Sequence, residues 1–193
     1  MFGGMKHTDA ELARRFARFR MDPVPVSQID ALRDFAVRYT RSTIAPADTL
    51  RSWMAVNPRL FFGLTEVAES GGQTSKPLVG YYSLRPVTRR AVELLDSCRI
   101  DGAGMLPEHI IPPDDLPEAG YIGGVVATGG LARAALLFYL AIDLRRYRAQ
   151  GVKRFYAKPL TPDGVRLMNK DGFRPVDCAG VAGKGVYRLV FPS

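Results

Sequence analysis

Residues 121–132 read Tyr121-Ile122-Gly123-Gly124-Val125-Val126-Ala127-Thr128-Gly129-Gly130-Leu131-Ala132, and the fold turns on this stretch. Its first seven residues form an apolar run of strand length, and Thr128-Gly129-Gly130 supplies the turn directly after it. A long helix is predicted from Leu131 or Ala132. Leu136 or Leu137, Leu140, Leu144 and Tyr147 repeat at helical spacing along one of its faces. Arg145, Arg146 and Arg148 suit the negative end of that helix, and Gly151 is placed to cap it. A strand, a glycine turn and a helix N-terminus in this order make an anion site. Unpaired N–H groups point outward there, and small residues admit a phosphate to the backbone. The stretch contains neither Gly-x-x-x-x-Gly-Lys-Ser/Thr nor Gly-x-Gly-x-x-Gly with a following acid, so triphosphatase and dinucleotide readings are disfavoured.

Toward the C-terminus, Val152–Lys158 reads as a strand and a short helix follows Thr161-Pro162-Asp163. Asp171-Gly172-Phe173 then turns into a last strand or strand pair ending near Val190. At the other end, Thr8-Asp9-Ala10-Glu11 is a capping box. Leu12, Phe16 and Phe19 share a face of the helix it starts, which Asp22-Pro23-Val24-Pro25 is expected to stop. Residues 1–25 are therefore read as an N-terminal helical extension, and 26–193 as one domain. Ser27 is expected to cap a second helix lined by Ile29, Leu32, Ala36 and Tyr39, and a third follows Pro46 as far as Asn57-Pro58. Leu60–Ala68 and Leu78–Leu84 read as an antiparallel hairpin across the polar turn Glu69–Pro77, with Val87–Leu95 expected to continue the sheet. Residues 96–119 lack a period and concentrate acids. A loop this long is read as functional or mobile.

The chain has 193 residues, 27 Lys and Arg against 19 Asp and Glu, and 47% hydrophobic residues, which excludes a disordered or disulfide-scaffold class. Its two cysteines, Cys98 and Cys178, are expected to be free thiols in a reducing compartment, with one long-range disulfide as the alternative. With only His7 and His109, a histidine-rich metal site is disfavoured and none is expected. The N-terminus has no secretory h-region. The most apolar run, Leu131–Ile142, is shorter than the ~20 residues a bilayer needs and contains Arg133, so a cytoplasmic protein without a membrane partner is expected. The net charge of +8 raises the prior for a nucleic acid or a phosphate-bearing ligand. Its two basic clusters, Arg14, Arg15, Arg18 and Arg20, then Arg145, Arg146, Arg148, Lys153 and Arg154, accompany no DNA- or RNA-reading motif, so nucleic acid stays a minor alternative.

The order of elements resembles the GNAT superfamily of CoA-dependent N-acyltransferases over roughly residues 27–190. Two local matches carry the resemblance. Ala127-Thr128-Gly129-Gly130-Leu131-Ala132 keeps Gly130 and Ala132 of the family's Gln/Arg-x-x-Gly-x-Gly/Ala pyrophosphate loop, and Leu167-Met168-Asn169-Lys170-Asp171-Gly172-Phe173 is similar to its short helix and Gly-Phe corner. The resemblance implies an α/β (α+β) fold, with a mixed, mostly antiparallel central sheet flanked by helices. It implies acetyl-CoA or another acyl-CoA as co-substrate and acyl transfer to an amine. It assigns cofactor contacts to Val125, Val126, Ala127, Gly129, Gly130, Leu131, Ala132, Arg133 and Asn169, with a strand N–H at Val125–Ala127 stabilising the thioester oxyanion. Glu118 and Glu66 are candidate bases, and Tyr121, like Tyr81 and Tyr82, offers a hydroxyl. Segment 101–118 is a candidate acceptor-side lid whose acids would suit a cationic amine. A homodimer is among the assemblies the resemblance implies. Two departures matter: Ala127 replaces the loop's leading Gln or Arg, and Met168 stands where many members place a thiolate-protonating Tyr. A catalytically degenerate acyl-CoA-binding module is therefore the alternative.

Overall fold

A computed structural model describes residues 8–40, 44–70, 73–177 and 185–191. The Thr8 capping box forms, and α1 spans Asp9–Arg15. The helix ends there rather than at Asp22. Residues Phe19–Pro23 instead form strand β1, antiparallel to β2 (Phe61–Glu66), so the sheet begins inside the first 25 residues. Burial explains the switch. Phe16 and Phe19 both reach the same core cluster, and an edge strand tolerates Pro23 because its missing N–H leaves no central ladder broken.

Helices α2 (Ile29–Tyr39) and α3 (Ala47–Val56) follow, burying Ile29, Leu32 and Ala36, then Leu50, Trp53 and Met54. Ser27 lies in a 3-10 turn ahead of α2 rather than at its cap, and Tyr39 is half exposed. A small ribbon, β3 (Ala68–Ser70) with β4 (Gln73–Ser75), replaces the expected plain turn. Strand β5 (Leu78–Val87) pairs antiparallel with β2, which confirms the hairpin.

The expected sheet continuation at Val87–Leu95 is instead helix α4 (Arg89–Asp96), started by the Thr88 hydroxyl accepting from the Ala91 N–H at 3.3 Å. Ala91, Val92 and Leu95 are its buried face, a helical spacing that also fits a short strand read in isolation. Strand β6 (Ala119–Ala127), helix α5 (Gly130–Ala149), strand β7 (Arg154–Ala157), helix α6 (Pro162–Lys170) and strands β8 (Arg174–Pro175) and β9 (Tyr187–Val190) complete the chain.

The seven-stranded sheet runs β1-β2-β5-β6-β7-β9-β8, antiparallel throughout except for the β6–β7 pair. One face packs on α2, α3 and α4 through Trp53, Tyr81, Leu95 and Tyr121. The other packs on α1 and α5 through Phe16, Tyr82, Leu136 and Phe155. Being covered on both sides, β5 is buried along nearly its whole length. Among the described residues, no helix is long and apolar enough to cross a membrane. Cys98, buried at the end of α4, is disulfide-bonded, which overturns the free-thiol reading; Cys178 lies outside the described residues.

Candidate functional site

Strands β6 and β7 pair over only three positions, Gly120–Ile122 against Phe155–Ala157. Beyond Ile122 no further β6–β7 pairing occurs among the described residues, although β6 continues to Ala127, so the sheet opens there into a cleft. A bulge begins at the same point. Ser83 pairs with Gly123 and Tyr81 with Val126, which leaves one extra residue on β6. Gly124 takes φ +59° in this bulge, and a Cβ there would lie 2.6 Å from the Tyr81 ring, so both backbone and space require glycine.

Strand alternation then orients the free edge. The Thr128 N–H donates to Val79 O at 2.9 Å, toward β5. The N–H groups of Val125 and Ala127 therefore turn to the opposite edge, into the cleft. At its end the chain enters α5 through Gly129 and Gly130, where an added Cβ would meet nothing within 4 Å. Gly129 caps the 20-residue helix without a side-chain hydrogen bond, and its first turn holds no acid. No side chain caps the first N–H groups of this long helix, and no first-turn acid compensates its positive dipole end.

The face of the cleft away from α5 is polar. Arg85 is 5% exposed, its guanidinium lying 4.6 Å from the Trp53 ring centre and 4.7 Å from that of Tyr121. One of its terminal nitrogens donates to Gly102 O at 2.6 Å, while Nε has no partner. The other terminal nitrogen sits 2.8 Å from where a Gly123 Cβ would be, so the missing side chain leaves the cation against the bulge. Burial pulls Arg85 below the ordinary guanidinium value, against the opposing influence of Tyr121, Asp101 and Tyr81. Burial pushes the Tyr81 hydroxyl up to about 12, with Arg85 opposing.

Hydrogen bonds tie residues 96–119 to this face. Asp96 accepts from Tyr156 Oη and from Arg188, both at 2.8 Å. Asp101 accepts from Lys158 Nζ at 2.8 Å, and from the N–H groups of Ala103 and Gly104. Trp53 Nε1 donates to Met105 O and Asn57 Nδ2 to Ile111 O. Burial raises Asp101, but the Lys158 contact and the two N–H groups outweigh it and hold the carboxyl below its usual range. A depressed carboxyl contributes stability above its unfolded value of ~3.9 and loses it as pH falls through the folded value. Asp101→Asn should therefore lower stability at pH 7 by about 1–2 kcal/mol. It should also flatten the loss seen below pH 4. Urea midpoints from pH 7 to 3 check this, and parallel curves for the two proteins would refute it.

The structure separates the sequence candidates. Tyr121 adjoins the cleft, buried beneath Arg85, with burial raising its hydroxyl against the influence of Arg85. Glu118 precedes the far end of β6 and is held by Arg154, about 30 Å along the strand from the glycine turn. Glu66 lies on β2, two strands from β6, and pairs with Arg18 at 3.1 Å. Val125, Val126, Ala127, Gly129, Gly130, Leu131, Ala132 and Arg133 are contiguous along the cleft edge and the start of α5, with Arg133 exposed. Asn169 is exposed on α6, while Met168 packs on the same core as α5. Much of the basic charge is neutralised locally, by Arg145–Asp9, Arg146–Asp143 and Arg18–Glu66 pairs. Sequence reasoning missed Arg85, Asp96 and Lys158. The one available signal was a lone arginine between Leu84 and Pro86 in an otherwise apolar strand.

A mixed sheet split between two parallel strands, with a glycine-led helix at the split, is the fold of the GNAT acetyltransferases. Three solved structures share it with this chain. A GNAT-family acetyltransferase from Listeria monocytogenes is 12% identical, with 89% of this chain and 92% of that one covered at a TM-score of 0.52. The NatC complex bound to Gag peptide and CoA matches at 14% identity over 91% and 99%, with a TM-score of 0.55. An agmatine N-acetyltransferase in its apo form matches at 11% identity over 90% and 100%, with a TM-score of 0.51. No protein-family model and no curated protein matches the sequence. The likeness is one of fold.

Proposed function

We propose that this chain is an acyl-CoA-dependent N-acyltransferase, passing an acetyl group from acetyl-CoA to an amine. One observation carries the reading: the β6–β7 cleft ends on an uncapped long-helix N-terminus whose two leading glycines leave a cradle open. A pyrophosphate fits that cradle, because the contact asks only for N–H donors and small residues. The solved NatC complex, which shares the fold, holds CoA.

Acyl-CoA supplies the thioester. The chain's own groups divide the remaining work. Gly129, Gly130, Leu131 and Ala132 hold the diphosphate with their backbone, and exposed Arg133 adds charge beside it. The Val125 and Ala127 N–H groups orient the pantetheine arm and polarise the carbonyl. The amine nitrogen forms the new C–N bond as the C–S bond breaks; sulfur leaves with the electron pair as the CoA thiol, and the amine gives up one proton.

Isothermal titration with CoA and acetyl-CoA, combined with thiol release over an amine panel, tests this. Micromolar binding with thiol release is expected. Absence of binding by both ligands would end the proposal. A second reading, binding without turnover, is favoured by half-buried Met168, which places no proton donor at the α6 position. Binding with no thiol release across the panel would select it.

A further inference from the structure

We infer that the amine acceptor carries a carboxylate and that Arg85 receives it; this rests on the acyltransferase reading above. The phosphate cradle belongs to α5, which packs on one face of the sheet through Ala132 and Leu136. A ligand entering from α5 reaches the bulge through the β6–β7 split, so its reaction partner approaches from the opposite face. That face is the one covered by α2, α3 and residues 96–119, and its charge is Arg85.

Three features make Arg85 a receiver rather than a tie. Among the described residues no carboxylate lies within ion-pair distance of it, and its Nε lacks any partner. The nearby acid, Asp101, is already committed to Lys158 and two backbone N–H groups, and Glu118 is held by Arg154. Asp101 and Glu118 are therefore not free to receive a purely cationic amine. Finally, Gly123 carries no side chain at the bulge, and the guanidinium tip occupies the room its Cβ would take. A buried cation without a counter-ion is costly, and aromatic stacking on Trp53 and Tyr121 offsets only part of that. A carboxylate provides the charge-assisted, planar complement a guanidinium takes best.

The experiment runs on the full chain. CoA binding is measured first by titration. The twenty L-amino acids, each amino acid's carboxamide and its decarboxylated amine are then assayed for thiol release with acetyl-CoA, and for thermal shift of the CoA-loaded protein. The expected result is turnover or stabilisation by at least one amino acid, with about 10- to 100-fold lower kcat/KM, or weaker binding, for its carboxamide. Arg85→Gln should abolish that preference and leave the CoA Kd unchanged, while Arg85→Lys should recover part of it. The acid–amide comparison on the unaltered chain stands even if Arg85→Gln does not fold. If CoA binds and only carboxylate-free amines react, or no carboxylate compound binds or reacts, the inference is overturned and the acyl-CoA reading survives. If CoA does not bind, the acyl-CoA reading fails and takes this inference with it.

Discussion

A Gly130→Glu chain should keep its stability and lose CoA. The Cβ at this position meets nothing within 4 Å, so the new side chain displaces no packed atom. It also places a carboxylate in the first turn of a helix that has no acid there, where the dipole favours it by about 0.3–1 kcal/mol. Thermal midpoint should hold or rise slightly. For a diphosphate ligand the same substitution adds a like charge and bulk at the donor N–H groups. Loss of about 3 kcal/mol, or more than 100-fold in CoA Kd, is expected. Gly130→Ala, which adds only a methyl group, should bind within a few-fold of the parent. Equal CoA affinity in the glutamate variant would show that the cradle holds no phosphate.

Gly124→Val should do the opposite, damaging the fold first. The residue needs a left-handed backbone at φ +59°, which costs a β-branched side chain about 1–3 kcal/mol. Its Cβ would also lie 2.6 and 2.7 Å from Cε2 and the hydroxyl of Tyr81, whose ring is buried, adding overpacking of about 1–3 kcal/mol. A total loss of about 2–6 kcal/mol is therefore expected in guanidinium denaturation. Gly129→Val is the control. Gly129 has extended backbone and open space, so the change should cost under about 1 kcal/mol. A Gly124 variant as stable as the control would mean that the bulge does not hold β6 in place.

Both experiments bear on residues 121–132, where the sequence was most readable. An apolar run, two glycines and a long helical period are local features, and they appear where expected as β6, the turn and α5. The β2–β5 hairpin was legible for the same reason. Misreadings fell where local preference met tertiary demand. The segment from Phe19 extends a helical face in sequence, yet it pairs as an edge strand because the β2 edge and the Phe16–Phe138 cluster reward that placement. Arg89–Asp96 could be strand or helix on pattern alone, and packing over the sheet chose helix.

Residue type and spacing along the chain thus settled the β2–β5 hairpin and the β6–glycine turn–α5 unit, since each depends on neighbours within a few positions. Which acid is available and which cation is unmatched depended on contacts across long sequence gaps. Asp101 meets Lys158 from 57 positions away, and Arg154 reaches back 36 positions to Glu118. Arg85 is brought between Trp53 and Tyr121 by the β5–β6 register and the packing of α3. Electrostatic pairing falls off within a few ångströms, and only the folded chain specifies which groups come that close.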